Sequence, residues 1–176
     1  ILAQLVRKAR ERGLYPKVAR MEVRRLRFAD TQFGAVLCLY SLVTYMVGDA
    51  DAPDLVREAR RLLRPGGRFI IDAFVPRTMV FGDEFVVDYV REFDGGKLKR
   101  SRRVRELRSG INRVERRYEV EPDDGSKAEI IETVEDVRPF APAQLRALLE
   151  EAGLVAVFEA WDYRHDNPAA NAQFFA

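Results

Sequence analysis

The stretch Ala59-Arg60-Arg61-Leu62-Leu63-Arg64-Pro65-Gly66-Gly67-Arg68-Phe69-Ile70-Ile71-Asp72 passes from a helical to an extended period across Pro65-Gly66-Gly67. Upstream, Leu55, Val56, Ala59, Leu62 and Leu63 make one apolar stripe, and Asp51, with Asp54 three residues on, can cap the helix that carries it. Proline and paired glycines end that helix abruptly, and Arg68 to Phe74 reads as an apolar strand. Before the helix, Phe33-Gly34-Ala35-Val36-Leu37-Cys38-Leu39-Tyr40 is a nearly continuous apolar run, which suits a strand buried on both faces. Strand, helix and strand in this order predict a parallel pair joined by a crossover helix, and hence an α/β sheet. Such sheets bind ligands beyond the carboxyl ends of their strands, so the residues just after each strand are where chemistry is expected.

Outward from this unit, Ile1, Leu2, Leu5, Val6 and Ala9 follow helical spacing up to Gly13, and Lys17 to Val23 reads as a short strand. Beyond Phe74 the pattern becomes antiparallel. Four extended segments, 85–93, 97–109, 112–121 and 127–137, are separated by the turn signals Asp94-Gly95-Gly96, Ser109-Gly110 and Asp123-Asp124-Gly125. A last helix starts near Pro142 and stops at Gly153, Leu154 to Trp161 reads as a strand, and Ala172 to Ala176 as a strand cut short. The first residue is Ile rather than Met, and the chain enters a helical pattern with no cap, as a piece of a longer protein would.

Composition narrows the classes. With 176 residues, 47% hydrophobic and 33% charged, the chain can bury a sizeable core and is not of disordered composition. A net charge of +2 does not describe a polycation seeking nucleic acid or anionic lipid. Cys38 is the only cysteine and His165 the only histidine, so neither a disulfide nor a transition-metal site is expected. No apolar run approaches the roughly 20 residues of a membrane span, and a cytoplasmic protein is expected. Arginine and alanine are abundant, as in GC-rich bacteria.

Three stretches resemble class I S-adenosylmethionine-dependent methyltransferases. Met21-Glu22-Val23-Arg24-Arg25-Leu26-Arg27-Phe28 is similar to the acidic segment closing the third strand of that family. Phe33 to Ser41 is similar to its fourth strand, with Gly34 where an Asp usually stands, and Ala59 to Asp72 to its helix, turn and fifth strand. Phe140-Ala141-Pro142 and Glu151-Ala152-Gly153 bracket a matching last helix. The resemblance implies a Rossmann-like methyltransferase sheet, incomplete at its N-terminal half, with an antiparallel β insert between the fifth strand and the last helix. Residues 1–76 and 138–176 would form the core without its first two strands and glycine-rich loop, and 77–137 the insert over the acceptor site. A chain lacking that loop is expected to be inactive alone.

It also implies S-adenosylmethionine as cofactor and assigns residues to it. Glu22 would accept a hydrogen bond from the adenine amino group and the Val23 N–H would reach a ring nitrogen. Leu39, Tyr40 and Ser41 would lie beside the methyl donor, where an aromatic face can stabilise a sulfonium by about 0.5–2 kcal/mol. Each has a plainer counterpart: a solvated acid for Glu22, a core cap for Tyr40, simple core for Leu39. Asp72 and Arg77 could face the acceptor or pair with each other. Methyl transfer needs no fixed triad, because the donor arrives activated and the protein positions the acceptor and removes a proton. Tyr40 and His165 are the catalytic candidates, the latter as a proton acceptor near neutral pH or as part of a surface hairpin.

From Lys97 to Arg108 the chain carries seven cations and one anion, and from Glu121 to Asp136 seven acids and one Lys. Without interleaved aromatics, pairing of these two segments across the sheet is expected rather than nucleic-acid binding. The insert resembles that of the small-molecule branch, including amino-sugar and glycine-type N-methyltransferases. This implies methyl transfer to an N or O atom of a small metabolite, with a homodimer built through the insert and no membrane partner. The alternative is a degenerate methyltransferase fold that binds or oligomerises without donor.

Overall fold

The computed structural model describes residues 2–75, 80–164 and 172–176. Helix α1 (Leu2–Arg10) leads, through an irregular segment, to β1 (Phe33–Cys38), a 3-10 turn (Leu42–Tyr45), α2 (Asp51–Leu62), β2 (Leu63–Ile71) and β3 (Ala73–Phe74). Four long strands follow, β4 (Val86–Phe93), β5 (Gly96–Arg108), β6 (Ile111–Pro122) and β7 (Glu129–Val137), then α3 (Pro142–Glu151) and β8 (Phe174–Phe175). The chain is an α/β protein built from a parallel β1–β2 pair, a short antiparallel β3–β8 pair and a four-stranded sheet ordered β4-β5-β6-β7.

The β1–α2–β2 unit rests on the stretch that opened the sequence reading. Ala52, Leu55, Val56, Ala59 and Leu62 are buried on one stripe of α2, and the first three pack with Cys38, Ile71, Phe140 and Leu145. Burying a leucine of this kind stabilises by about 1.5–3 kcal/mol. Asp51 is the first helical residue rather than the cap, which is Ala50; the Asp51 carboxylate instead accepts from the Gly48 N–H at 2.8 Å. At the break, Gly66 adopts φ +74°, and a Cβ on Gly67 would lie 2.9 Å from the Arg64 carbonyl and 3.1 Å from that of Gly34. The two strands can therefore close only over a bare backbone. In α3, Pro142 opens the first turn and the Ala141 N–H donates to Gln144 at 2.8 Å.

Burial on both faces of β1 is not what forms. Val36 and Cys38 turn towards α2 and α3, while Leu37 and its partner Ile70 stay 58% and 42% exposed, because the helices of the core cover one face only. Residues 17–23 form no strand, since no strand lies alongside to supply hydrogen bonds. In 154–161, expected as a strand, only the end is paired: Ala160 and Ala176 exchange both backbone bonds, at 2.9 and 3.0 Å.

The four-stranded sheet corrects the charge pairing. Basic β5 and acidic β7 are not neighbours, because β6 lies between them and carries both signs. Its Glu115 accepts from Arg103 (2.7 Å) and Arg105 (2.7 Å), and its Glu119 from Lys99 (3.1 Å). On its other side Arg113 meets Asp136 at 2.7 Å, Arg117 meets Glu132 at 2.8 Å, and Arg116 bonds Glu135. Among the described residues no helix is long and apolar enough to cross a membrane.

Candidate functional site

At the carboxyl end of β1 the backbone turns through two consecutive left-handed residues, Tyr40 (φ 61°) and Ser41 (φ 58°). Neither has glycine's freedom there, and such residues cost about 1–3 kcal/mol each unless their surroundings hold them. Asp72, one residue past β2 and 0% exposed, supplies the hold. Its Oδ2 accepts from the Tyr40 N–H at 3.0 Å, its Oδ1 from the Ser41 N–H, and the Tyr163 hydroxyl donates to Oδ2. The Ser41 hydroxyl in turn accepts from the Phe74 N–H at 2.8 Å. One buried carboxylate thus joins the segments after β1, after β2 and around Tyr163. Burial, the bond to Asp72 and the charge of Asp72 push the Tyr163 phenol well above its ordinary range, so it remains a neutral donor. Burial, and then the charge of Asp72, push the Cys38 thiol up to about 11.

The turn points the Tyr40 ring outwards, 81% exposed. Phe174 stacks on Phe74 at 4.6 Å between centroids and stands 6.2 Å from Tyr40 and 6.1 Å from Tyr163. Phe74 and Tyr163 are each about half exposed, so four rings form a wall open to solvent at the strand ends.

Glu22 lies at the same end of the sheet. Its Oε1 accepts from Arg24 Nε at 2.9 Å and from the Arg24 N–H at 3.3 Å, and Arg24 reaches on to Asp51 at the start of α2. That helix start follows the loop leaving β1, which places the Glu22–Arg24–Asp51 chain on the Tyr40 side. Chiefly the bond from Arg24 holds the Glu22 carboxyl below its ordinary range, leaving Oε2 with acceptor capacity. The segment behind it is pinned along α2: Glu58 accepts from the Leu26 N–H at 2.6 Å, and Arg61 donates to the carbonyls of Leu26 (3.0 Å) and Phe28 (2.9 Å). Val23 packs against the core cluster.

A family model described as a methyltransferase domain matches residues 1–71, the part of the chain that ends with β2. Among solved structures, a sugar N-methyltransferase from Streptoalloteichus is 26% identical, with a TM-score of 0.67, over 99% of this chain and 73% of that one. The chain shares the fold of the S-adenosylmethionine-dependent methyltransferases, and its first 71 residues match their domain model. An S-adenosylmethionine-dependent methyltransferase from Clostridium acetobutylicum has a TM-score of 0.79 at 16% identity, over 99% of this chain and 68% of that one. An amino pentose methyltransferase from Micromonospora matches with a TM-score of 0.71 at 19% identity, over 98% and 69%. No protein of curated function matches by sequence.

The residues read from sequence sort by placement. Glu22, Leu39 and Tyr40 lie at the carboxyl ends of the strands with their side chains at least a third exposed. Ser41 and Asp72 do not: both are 0% exposed and their side chains are already bonded within the protein, so neither offers an atom to a ligand. Arg77 and His165 lie outside the described residues. Sequence reasoning missed Arg24, Phe74, Tyr163 and Phe174. The pattern Glu22-Val23-Arg24 could have suggested the first, but the rings are brought together only by the fold.

The residues present fit the donor of this class. S-adenosylmethionine carries a positive sulfonium and an adenine amino donor, and the chain presents an exposed aromatic face at Tyr40 and a carboxylate with spare acceptor capacity at Glu22.

Proposed function

We propose that the enzyme transfers a methyl group to an N or O atom of a small metabolite such as an amino sugar. The observation that carries this reading is the seating of the four-stranded sheet on the loop that follows Tyr40. The Arg138 N–H donates to the Thr44 carbonyl at 2.7 Å, and the Arg138 and Arg108 side chains donate to the Val47 carbonyl at 3.0 and 2.7 Å. A sheet so fixed can roof an acceptor beside the aromatic wall and exclude water from it. The likeness to a sugar N-methyltransferase supports an acceptor of that size. Lys99, Arg100, Arg102 and Arg103 of β5 lie against carboxylates of β4 and β6, which supports a small acceptor over nucleic acid.

S-adenosylmethionine supplies the activated methyl for an in-line displacement. On this reading Glu22 and the Val23 backbone hold the adenine, and Leu39 and Tyr40 line the methyl end. The chain's contribution is then orientation and dryness, worth more here than any acid or base. Exposed Val87, Val90, Ile130 and Val134 on the sheet support a homodimer through it.

The test is methyl incorporation from labelled donor into a panel of amino sugars and hydroxylated sugars by the intact parent protein that carries these residues, beside calorimetry of donor binding to its Glu22→Ala variant. The expected result is transfer to at least one panel member, and a weakened donor Kd in a variant that melts normally. Transfer to none of them but to RNA would overturn the acceptor class. An unchanged Kd would remove Glu22 from the donor site.

A further inference from the structure

We propose that Asp72 is a positioning residue for the methyl end of the donor: its buried carboxylate locks the Tyr40–Ser41 turn and so holds the Tyr40 ring against the sulfonium. This rests on the reading that Tyr40 lines the donor's methyl end. A chain reversal alone could be made by glycine or asparagine, which accept left-handed φ without restraint. Here a tyrosine and a serine occupy it, and both of their backbone N–H groups are taken by one carboxylate. The third donor, the Tyr163 hydroxyl, ties the same carboxylate to a second ring of the aromatic wall, Tyr163 standing 6.1 Å and Tyr40 6.2 Å from Phe174.

The donors that meet Asp72 are neutral. Among the described residues no lysine or arginine pairs with it, and its three donors there are two backbone N–H groups and a phenol. A cation held in front of Tyr40 is drawn to the negative face of the ring, whereas a neutral thioether of the same shape lacks that attraction. The consequence is a preference for sulfonium over thioether, that is, for S-adenosylmethionine over S-adenosylhomocysteine, set by a residue that touches neither.

The experiment is calorimetric titration of the full chain with each of those two ligands, for the wild type, Tyr40→Ala, Asp72→Asn and the pair Asp72→Asn with Ser41→Gly. Tyr40→Ala should lower the sulfonium preference by roughly two- to thirtyfold, the range of a cation–aromatic contact. If it leaves the preference unchanged, the placement of Tyr40 at the methyl end is wrong. Given that shift, Asp72→Asn should lower the preference by a similar factor. If it weakens both ligands equally, or neither, Asp72 is only a structural residue and the proposal falls. Should Asp72→Asn fail to fold, the paired variant decides the matter, because glycine at 41 relieves the left-handed strain that the carboxylate otherwise restrains. Recovery of folding together with most of the preference supports action through the turn. A folded pair whose preference stays low would overturn it.

Discussion

At residue scale the two glycines after α2 have different duties. Gly66 is needed for its positive φ, and alanine there should cost about 1 kcal/mol. Gly67 is needed for its emptiness, since a methyl would press on the Arg64 and Gly34 carbonyls and force β2 away from β1. Urea unfolding should therefore rank Gly67→Ala as the more damaging change, by roughly 1–3 kcal/mol against the wild type. Equal midpoints for the two variants would show that the strands are not limited by this approach. How much of the site could be read in advance varies residue by residue. The exposed placement of Tyr40 and Glu22 was legible, because Tyr40 ends an apolar run and Glu22 lies in a charged one. Asp72 was legible as an acid after a strand but not in its role, because its partner Tyr163 lies 91 residues away and burial is a property of the fold. Ser41 misled for the same reason, its hydroxyl being turned inwards to the Phe74 N–H.

Among elements, α2, α3 and β1 carried their own periodicity and were legible. Residues 17–23 and 154–159 were not, because an extended segment becomes a strand only beside another strand, and that neighbour is not written in the segment itself. The insert was legible as four strands from its turn residues, yet its pairing was misjudged: matching total charge between β5 and β7 ignored that β6 had opposite charges to offer each of them. A double-mutant cycle on Arg113 and Asp136, which make two bonds of 2.7 and 2.9 Å, measures what one such pair contributes. Because both side chains are partly exposed, a coupling of about 0.2–1 kcal/mol is expected at low salt, shrinking as salt is added. Zero coupling at low salt would mean that shape and backbone bonding alone hold β6 to β7.

For the whole molecule the same ion pairs set a direction for acid sensitivity. Glu22, Glu58, Glu115 and Asp136 are all held below their ordinary carboxyl range, in each case first by a bond from an arginine. The unfolded chain then binds more protons than the folded one as pH falls past the ordinary carboxyl values of 4.5 and 3.8. The stabilisation these groups give is present above those values and is lost as pH drops through the lower folded ones. Urea midpoints should be level from neutrality to about pH 5 and fall below that, and a midpoint that rose on acidification would contradict the ion-pair geometry. The order of signs along β6 has a further effect, on which alignments the sheet can mistake for its own. The smallest slip that keeps every side chain on its proper face is two residues. Between β5 and β6 the native register already sets Arg102 against Arg116 and Arg105 against Arg113, so neither direction of slip is singled out by charge there. Between β6 and β7, one would set Glu115 against Glu132, and the other Glu115 against Asp136 and Glu119 against Glu132. A β6–β7 pair misaligned by two residues therefore begins with like-charge repulsion that the correct one lacks, so the charges that add little to the finished fold reject these near copies while it assembles.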